Sequence, residues 1–315
     1  MKWVYTSQRK EYANALTELG RTRTDVVVLD ADLSSSTRTV EFAKKFPERF
    51  FNCGIAEQNM MGTAAGLAAS GKVVFASTFA VFATGRCWDQ IRQSIAYPNL
   101  NVKIVATHAG ITVGGDGASH QALEDIGLMR SLPNMTVIVP ADGIEAYKAV
   151  KAVADHCGPC YVRLGRADVP MLTSMDSEFI IGKAAVLREG SDVTLVGCGQ
   201  MVAACMDAAE ELSKRGVEAE VINMSTVKPL DEEVLLRSVE KTGAVVTAEE
   251  HSITTGLGSA VASVLGEKLP SPLKMIGTPD CFGESGESEE LMRRYGLTAE
   301  RVALAAEEVI RRKRQ

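Results

Sequence analysis

A chain of 315 residues, 46% hydrophobic and 23% charged, has the balance of an ordinary globular protein of about two domains. Its formal charge of −6 is spread along the sequence, which argues against a nucleic-acid surface, because a phosphate backbone wants a concentrated basic face. No apolar run is long enough to span a bilayer, and the opening MKWVYTSQRKEYANAL lacks a secretory signal's apolar centre and cleavage site, so a cytoplasmic protein is expected.

Short β-rich runs alternate with amphipathic helical stretches, the pattern of an α/β protein with a mostly parallel sheet and helices on both faces. Val26 to Asp30 reads as a strand, and a helix rich in Ala and Gly follows from about Glu57 to Ser70. Lys72 to Ala76 is the next strand, then a helix from about Phe79 to Tyr97, a strand from Val102 to Thr107 and a Gly-rich loop from Ala109 to Ala118. A helix from Gln121, a strand at Met135 to Val139, a helix from Gly143 and a strand at Tyr161 to Leu164 complete a first domain, placed at 1–172. Between about Arg166 and Lys183 the pattern lapses into a connection containing Pro and Asp, and residues 173–190 are read as the linker. A second α/β domain, 191–315, follows. It has strands at Val193 to Gly197, Glu218 to Ile222 and Ala244 to Ala248. Helices are expected at Met201 to Arg215, from Asp231, at Leu257 to Lys268, around Glu289 to Tyr295 and from Ala299 to Arg312.

The seven cysteines read as small core hydrophobes in a reducing compartment. Cys157-Gly158-Pro159-Cys160 spells a redox motif, but it follows a helix and leads into a strand, the reverse of what lowers a thiol's pKa. A Gly-Pro turn from helix to strand is the better account. The basic run Arg311, Arg312, Lys313 and Arg314 is read as a solvated helix end, where cations suit the helix dipole.

Chemistry is sought where polar residues fall at strand ends, since open α/β sheets place ligands there. Glu57, in Gly54-Ile55-Ala56-Glu57-Gln58-Asn59, follows a tight turn at a helix start; taken alone it is an ordinary helix-start glutamate. The loop from His108 through Asp116 to His120 sets two of the four histidines and an aspartate at spacings of eight and four, separated by glycines. Imidazoles there suit proton transfer near neutral pH, whereas a metal site lacks further ligands at close spacing. Asp30-Ala31-Asp32-Leu33-Ser34-Ser35-Ser36-Thr37 ends the first strand in acids and hydroxyls, which suits either a phosphate or a plain turn. His251, in Glu249-Glu250-His251, reads more readily as a satisfied structural histidine, and Gly256-Leu257-Gly258 as an anion-receiving helix start or a close helix contact.

The runs GIAEQNMMGTAAGLAASG, STFAVF and THAGITVGGDGASHQALEDIGLMRSLPNMTVIVPADG resemble the pyrimidine-binding domain of transketolase. VKPLD, TAEEHSITTGLGSAV and FGESGESEELMRRYGLT are similar to its C-terminal domain, so the resemblance covers essentially the whole chain. It implies thiamine diphosphate as cofactor and a two-carbon ketol transfer between sugar phosphates. Glu57 then matches the glutamate that hydrogen-bonds N1′ of the aminopyrimidine, Phe79 and Phe82 the aromatics around that ring, and Asp32 a position close to the thiazolium. Phe79 and Phe82 also stand at ordinary core spacing. His120 matches the histidine near the reacting hydroxyl and carbonyl, and Asp116 an aspartate that contacts a hydroxyl of the donor. His108, Arg166, Ser36 and Arg9 match the residues that recognise sugar phosphate. Gly85 stands where the family has a further aromatic, for which Trp88 is a weak substitute, and Gly115 replaces an acid.

The family's diphosphate domain has no counterpart in this sequence: Gly115-Asp116-Gly117 lacks the Asn-rich continuation that holds Mg²⁺, and the stretch near Ala141-Asp142-Gly143 does not supply it. The resemblance therefore implies no metal ligand on this chain, Mg²⁺ held by a partner N-terminal subunit, and a homodimeric core within a heterotetramer. A half of 1-deoxyxylulose-5-phosphate synthase shares GIAEQ and the loop but typically has arginine near His108. The β subunit of a 2-oxo-acid dehydrogenase generally lacks Asp116 in this setting. A regulatory or assembly subunit is disfavoured by the joint presence of Glu57, Asp116 and His120.

Overall fold

A computed structural model describes residues 2–313. The first sheet has seven strands in the order Thr226–Lys228, Thr136–Ile138, Cys160–Arg163, Val102–Ala106, Val73–Ser77, Val26–Asp30 and Phe50–Asn52. All neighbours run parallel except Thr226–Lys228, which pairs antiparallel with Thr136–Ile138. The second sheet, of five strands, runs Leu273–Thr278, Val245–Ser252, Val193–Gly197, Ala219–Asn223 and Ala185–Arg188, with only the last antiparallel. Both domains are thus mostly parallel sheets flanked by helices.

The strand VVVLD is buried at all five positions, as a parallel strand covered on both faces must be. Its side chains alternate: Val26 and Val28 pack with Tyr12, Leu16, Phe75 and Val150, whereas Val27 and Leu29 pack with Met60, Met61, Ala64 and Ile104. The latter cluster continues into Val196, Ile222, Met224, Leu257 and Val261, so one core spans the two sheets. Burying each such aliphatic side chain contributes roughly 1.5–3 kcal/mol relative to exposure.

Several expectations need correction. The helix expected from Phe79 to Tyr97 is broken: Phe82–Arg86 and Ile91–Ala96 are wide, π-type turns separated by a short α-turn, Trp88–Gln90. A hydrophobic period does not distinguish these turns from α-helix, and such bulges often accompany functional sites. The helix expected from Gln121 begins at Asp125, because Gln121 spends its amide on the carbonyls of Ile111 and Glu284, at 3.1 and 2.9 Å. Helix Gln8–Thr22 and strands Phe50–Asn52, Thr226–Lys228 and Leu273–Thr278 were not anticipated. Strand Ala185–Arg188 lies within the stretch read as linker.

Cys160 begins a strand, and burial pushes its thiol up to about 11, with Lys103 opposing. Lys103 Nζ instead holds the preceding turn, donating to the carbonyls of His156 (2.7 Å) and Gly158 (2.6 Å). Helix Ala299–Lys313 carries Arg311, Arg312 and Lys313 in its last turn, while Arg314 lies outside the described residues. No helix among the described residues is long and apolar enough to cross a membrane.

Candidate active site

Four adjacent parallel strands end on the same side, and the segments leaving them carry most of the candidate residues. Asp30 ends Val26–Asp30 and organises the segment that leaves it. Its buried carboxylate accepts from Leu33 N at 2.6 Å, Thr37 Oγ1 at 2.7 Å and Thr39 Oγ1 at 2.9 Å, curling the chain through Ser36. Burial pushes the Asp30 carboxyl up, and these hydrogen bonds oppose that shift. Asp32 sits at φ 64° and pairs with Asn52: its N–H donates to Oδ1 at 3.1 Å and its Oδ1 accepts from Nδ2 at 3.0 Å. Asn52 Oδ1 also accepts from Gly54 N at 2.9 Å, tying this segment to the turn before Glu57.

Glu57 opens helix Glu57–Ala69, is only 3% exposed, and meets Arg86 Nη1 at 3.0 Å. The Arg86 guanidinium lies 4.5 Å over the Phe82 ring. Phe82 stacks on Phe79 at 5.8 Å, and Phe79 on His108 at 3.8 Å, making one column. His120 meets it edge-on, 5.3 Å from Phe82 and 6.3 Å from Phe79. A buried carboxylate beside flat aromatic faces suits a hydrogen-bonding heteroaromatic ring. Gly85 is exposed, and a Cβ there would meet nothing within 4 Å. The Trp88 indole N–H donates to the Leu128 carbonyl at 3.2 Å.

His108 adopts φ 57°, with Nδ1 2.9 Å from Thr107 Oγ1. Burial, reinforced by Arg9, Arg166 and His120, pushes its pKa down to about 3, so the ring is neutral at physiological pH. Arg9 Nη1 donates to Ser36 O at 2.9 Å and Nη2 to Arg166 O at 2.8 Å. Burial lowers the Arg9 pKa, and Arg38 and Arg166 lower it further, the signature of crowded guanidiniums that would gain from an anion. Arg166 itself donates to Val113 O. Asp116 is exposed on its loop, and His120 is half-buried with Nδ1 3.0 Å from Ser119 Oγ. The structure thus groups Arg9, Ser36, His108 and Arg166, joins them through Phe79 to Phe82, Glu57 and His120, and leaves Asp32 and Asp116 exposed.

Sequence reasoning missed Arg38, Asn52 and Arg86, and named Asp30 only within its run of acids and hydroxyls. Only Arg86 had a local signal, a cation four residues after Phe82. Asp142 is a helix cap: its carboxylate accepts from Glu145 N at 2.8 Å and from Leu172 and Thr173 N at 2.7 and 2.6 Å. The start of helix Leu257–Lys268 receives an internal carboxyl group, with Leu257 and Gly258 donating to Glu249 at 2.6 and 2.7 Å. His251 is structural: Nδ1–H donates to Ser252 O at 2.9 Å and Nε2 accepts from Ile126 N at 3.1 Å.

Burial pushes the His251 pKa down to about 4, with Asp125 opposing. The unfolded chain therefore takes up this proton first, and stability falls as pH drops from about 6.5, the ordinary His value, toward 4. Unfolding measured across that window should show a shallower acid slope in His251→Gln than in the parent; an unchanged slope would refute the assignment.

The sequence pattern "Transketolase, pyrimidine binding domain" matches residues 5–171, and "Transketolase, C-terminal domain" matches 182–302. The chain is 47% identical over 305 residues to the 6-deoxy-6-sulfo-D-fructose transketolase subunit SqwH of a Clostridium species, covering 97% of this chain and 95% of that protein. A solved split-gene transketolase, described as an inactive β4 tetramer, is 54% identical, with a TM-score of 0.92 and coverage of 98% of this chain and 99% of that one. The Campylobacter jejuni transketolase structure is 26% identical, with a TM-score of 0.81, and 96% of this chain matches only 46% of that one. The chain belongs to the transketolase family and comprises its pyrimidine-binding and C-terminal domains.

Proposed function

We propose that this chain is the C-terminal subunit of a two-chain transketolase, moving a two-carbon ketol unit from xylulose 5-phosphate to an aldose phosphate of the pentose phosphate pathway. The observation that carries the reading is the stacked column from His108 to Arg86, with Glu57 buried at one end and the Arg9–Arg166 group at the other. Thiamine diphosphate, when bound, supplies the electron sink for the two-carbon carbanion. Glu57 would hold a proton against N1′ of the aminopyrimidine, Phe79 and Phe82 would wall that ring, and Asp32 would lie near the thiazolium. His120 moves a proton at the substrate's reacting oxygen, and Asp116 holds a hydroxyl beside the donor's reacting carbonyl. Arg9, Arg166, Ser36 and neutral His108 bind the phosphate end, the guanidiniums supplying forked donors and His108 orientation rather than charge.

The diphosphate and its Mg²⁺ are assigned to an N-terminal partner subunit, in a heterotetramer around a homodimer of this chain. Gly62, Gly66 and Gly85, all exposed with open space where a Cβ would stand, support close approach of a second chain there. Mixing the chain with the partner should raise thiamine-diphosphate affinity and produce ketol transfer without net carbon dioxide release; no gain in affinity would refute the shared site. In that complex His120→Ala should slow transfer by about 10²–10⁴. A loss under about tenfold would show that its assigned role is wrong.

A further inference from the structure

The second domain lies against the substrate loop, and one buried carboxylate makes the most specific contact. Glu250 Oε1 accepts from Thr112 N at 2.7 Å and from Thr112 Oγ1 at 2.8 Å, while Oε2 accepts from Gln200 Nε2. The fit is close: a Cβ on Gly110, which sits at φ 83°, would lie 2.3 Å from this carboxyl group. The same domain supports the loop elsewhere. Ser288 Oγ donates to Thr112 O at 2.9 Å, Gln121 reaches the Glu284 carbonyl at 2.9 Å, and a Cβ on Gly117 would stand 2.5 Å from Ser285 Oγ.

The loop itself is poorly suited to holding a shape. Gly114, Gly115 and Gly117 surround Asp116, and glycine leaves the backbone its widest freedom. The loop winds a 3₁₀ turn over Ile111–Asp116 and closes on itself through His120 N to Gly117 O at 3.0 Å, and contacts from outside must fix where that unit sits. A carboxylate taking two donors from one residue supplies such a contact, through charge-assisted bonds that fix Thr112 in both direction and rotamer.

We propose that Glu250 is a positioning residue for ketol transfer, clamping Thr112 from the second domain so that Asp116 and His120 meet the donor sugar in register. This rests on the function proposed above. Glu250→Gln keeps the shape but turns an amide NH₂ toward one of its donors. The double variant Gln200→Glu with Glu250→Gln restores one donor and one acceptor at that contact. In the two-chain complex, E250Q should worsen the donor's kcat/KM by about ten- to hundredfold, the scale of a lost charged hydrogen bond, with thiamine-diphosphate affinity unchanged. Amide exchange of 110–121 in the chain alone should accelerate, and the double variant should recover both readings.

Parental kinetics and exchange in E250Q would overturn the proposal. So would losses that the double variant does not recover, because those mark a merely structural role. A parent complex without ketol transfer would refute the proposed function, and the exchange measurement would still decide the clamp.

Discussion

Replacing Glu57 with Ala should abolish ketol transfer in the two-chain complex while leaving the chain folded. The fold tolerates the change because the partner of Glu57, Arg86, is about half exposed and regains water when the carboxylate is removed. The chemistry does not tolerate it, since no other carboxylate stands beside the Phe79–Phe82 column among the described contacts. Losses of about 10²–10⁴ or more are expected from removing a positioned proton-holding group. Glu57→Gln separates the contributions, for it keeps length and shape and removes the carboxyl proton. Steady-state transfer, paired with far-ultraviolet circular dichroism, checks both halves of the statement. A Glu57→Ala complex within tenfold of the parent would remove Glu57 from the mechanism.

The largest loss of stability is expected at Asp125. Its carboxylate is fully buried and accepts from Arg163 Nε at 2.7 Å and Tyr161 OH at 2.6 Å. Burial alone would raise its pKa, but Arg163, His251 and these hydrogen bonds outweigh it and hold the carboxyl below its ordinary range. Arg163 continues the network to the carbonyls of Ala122 at 3.2 Å and Glu250 at 2.9 Å, linking the two domains. Asp125→Ala strands a buried guanidinium, a defect that costs about 3–5 kcal/mol. Urea unfolding of the variant should show a midpoint well below the parent; coincident curves would show that water or another group satisfies Arg163.

The parallel strands and the Gly-rich loop were legible because their signals are local. Five consecutive buried residues in Val26–Asp30 declare themselves in the sequence, and so do glycines flanking Asp116. The resemblance supplied the candidate roles of Glu57, His120 and the phosphate-reading group, and the fold brings most of these residues together. What sequence could not supply was pairing at long range. Glu250 and Thr112 are separated by 138 positions, and Thr226–Lys228 is three residues whose partner strand ends at Ile138. No periodicity encodes either. The broken helix after Phe79 failed for a different reason: wide turns of five and six residues are too short to declare a period of their own.

The strand Thr226–Lys228 also bears on solubility. By pairing with Thr136–Ile138 it occupies what would otherwise be an open row of N–H and C=O groups at the margin of an apolar parallel sheet. Lys228 then fastens the cover, its ammonium reaching the carbonyls of Arg130 and Leu132. The later half of the chain thus shields the earlier half from templating contacts between molecules. During synthesis that protection arrives only after residue 228 has emerged, so the nascent first domain spends an interval with an adhesive edge. Chaperone demand should be concentrated in that interval rather than in the finished protein.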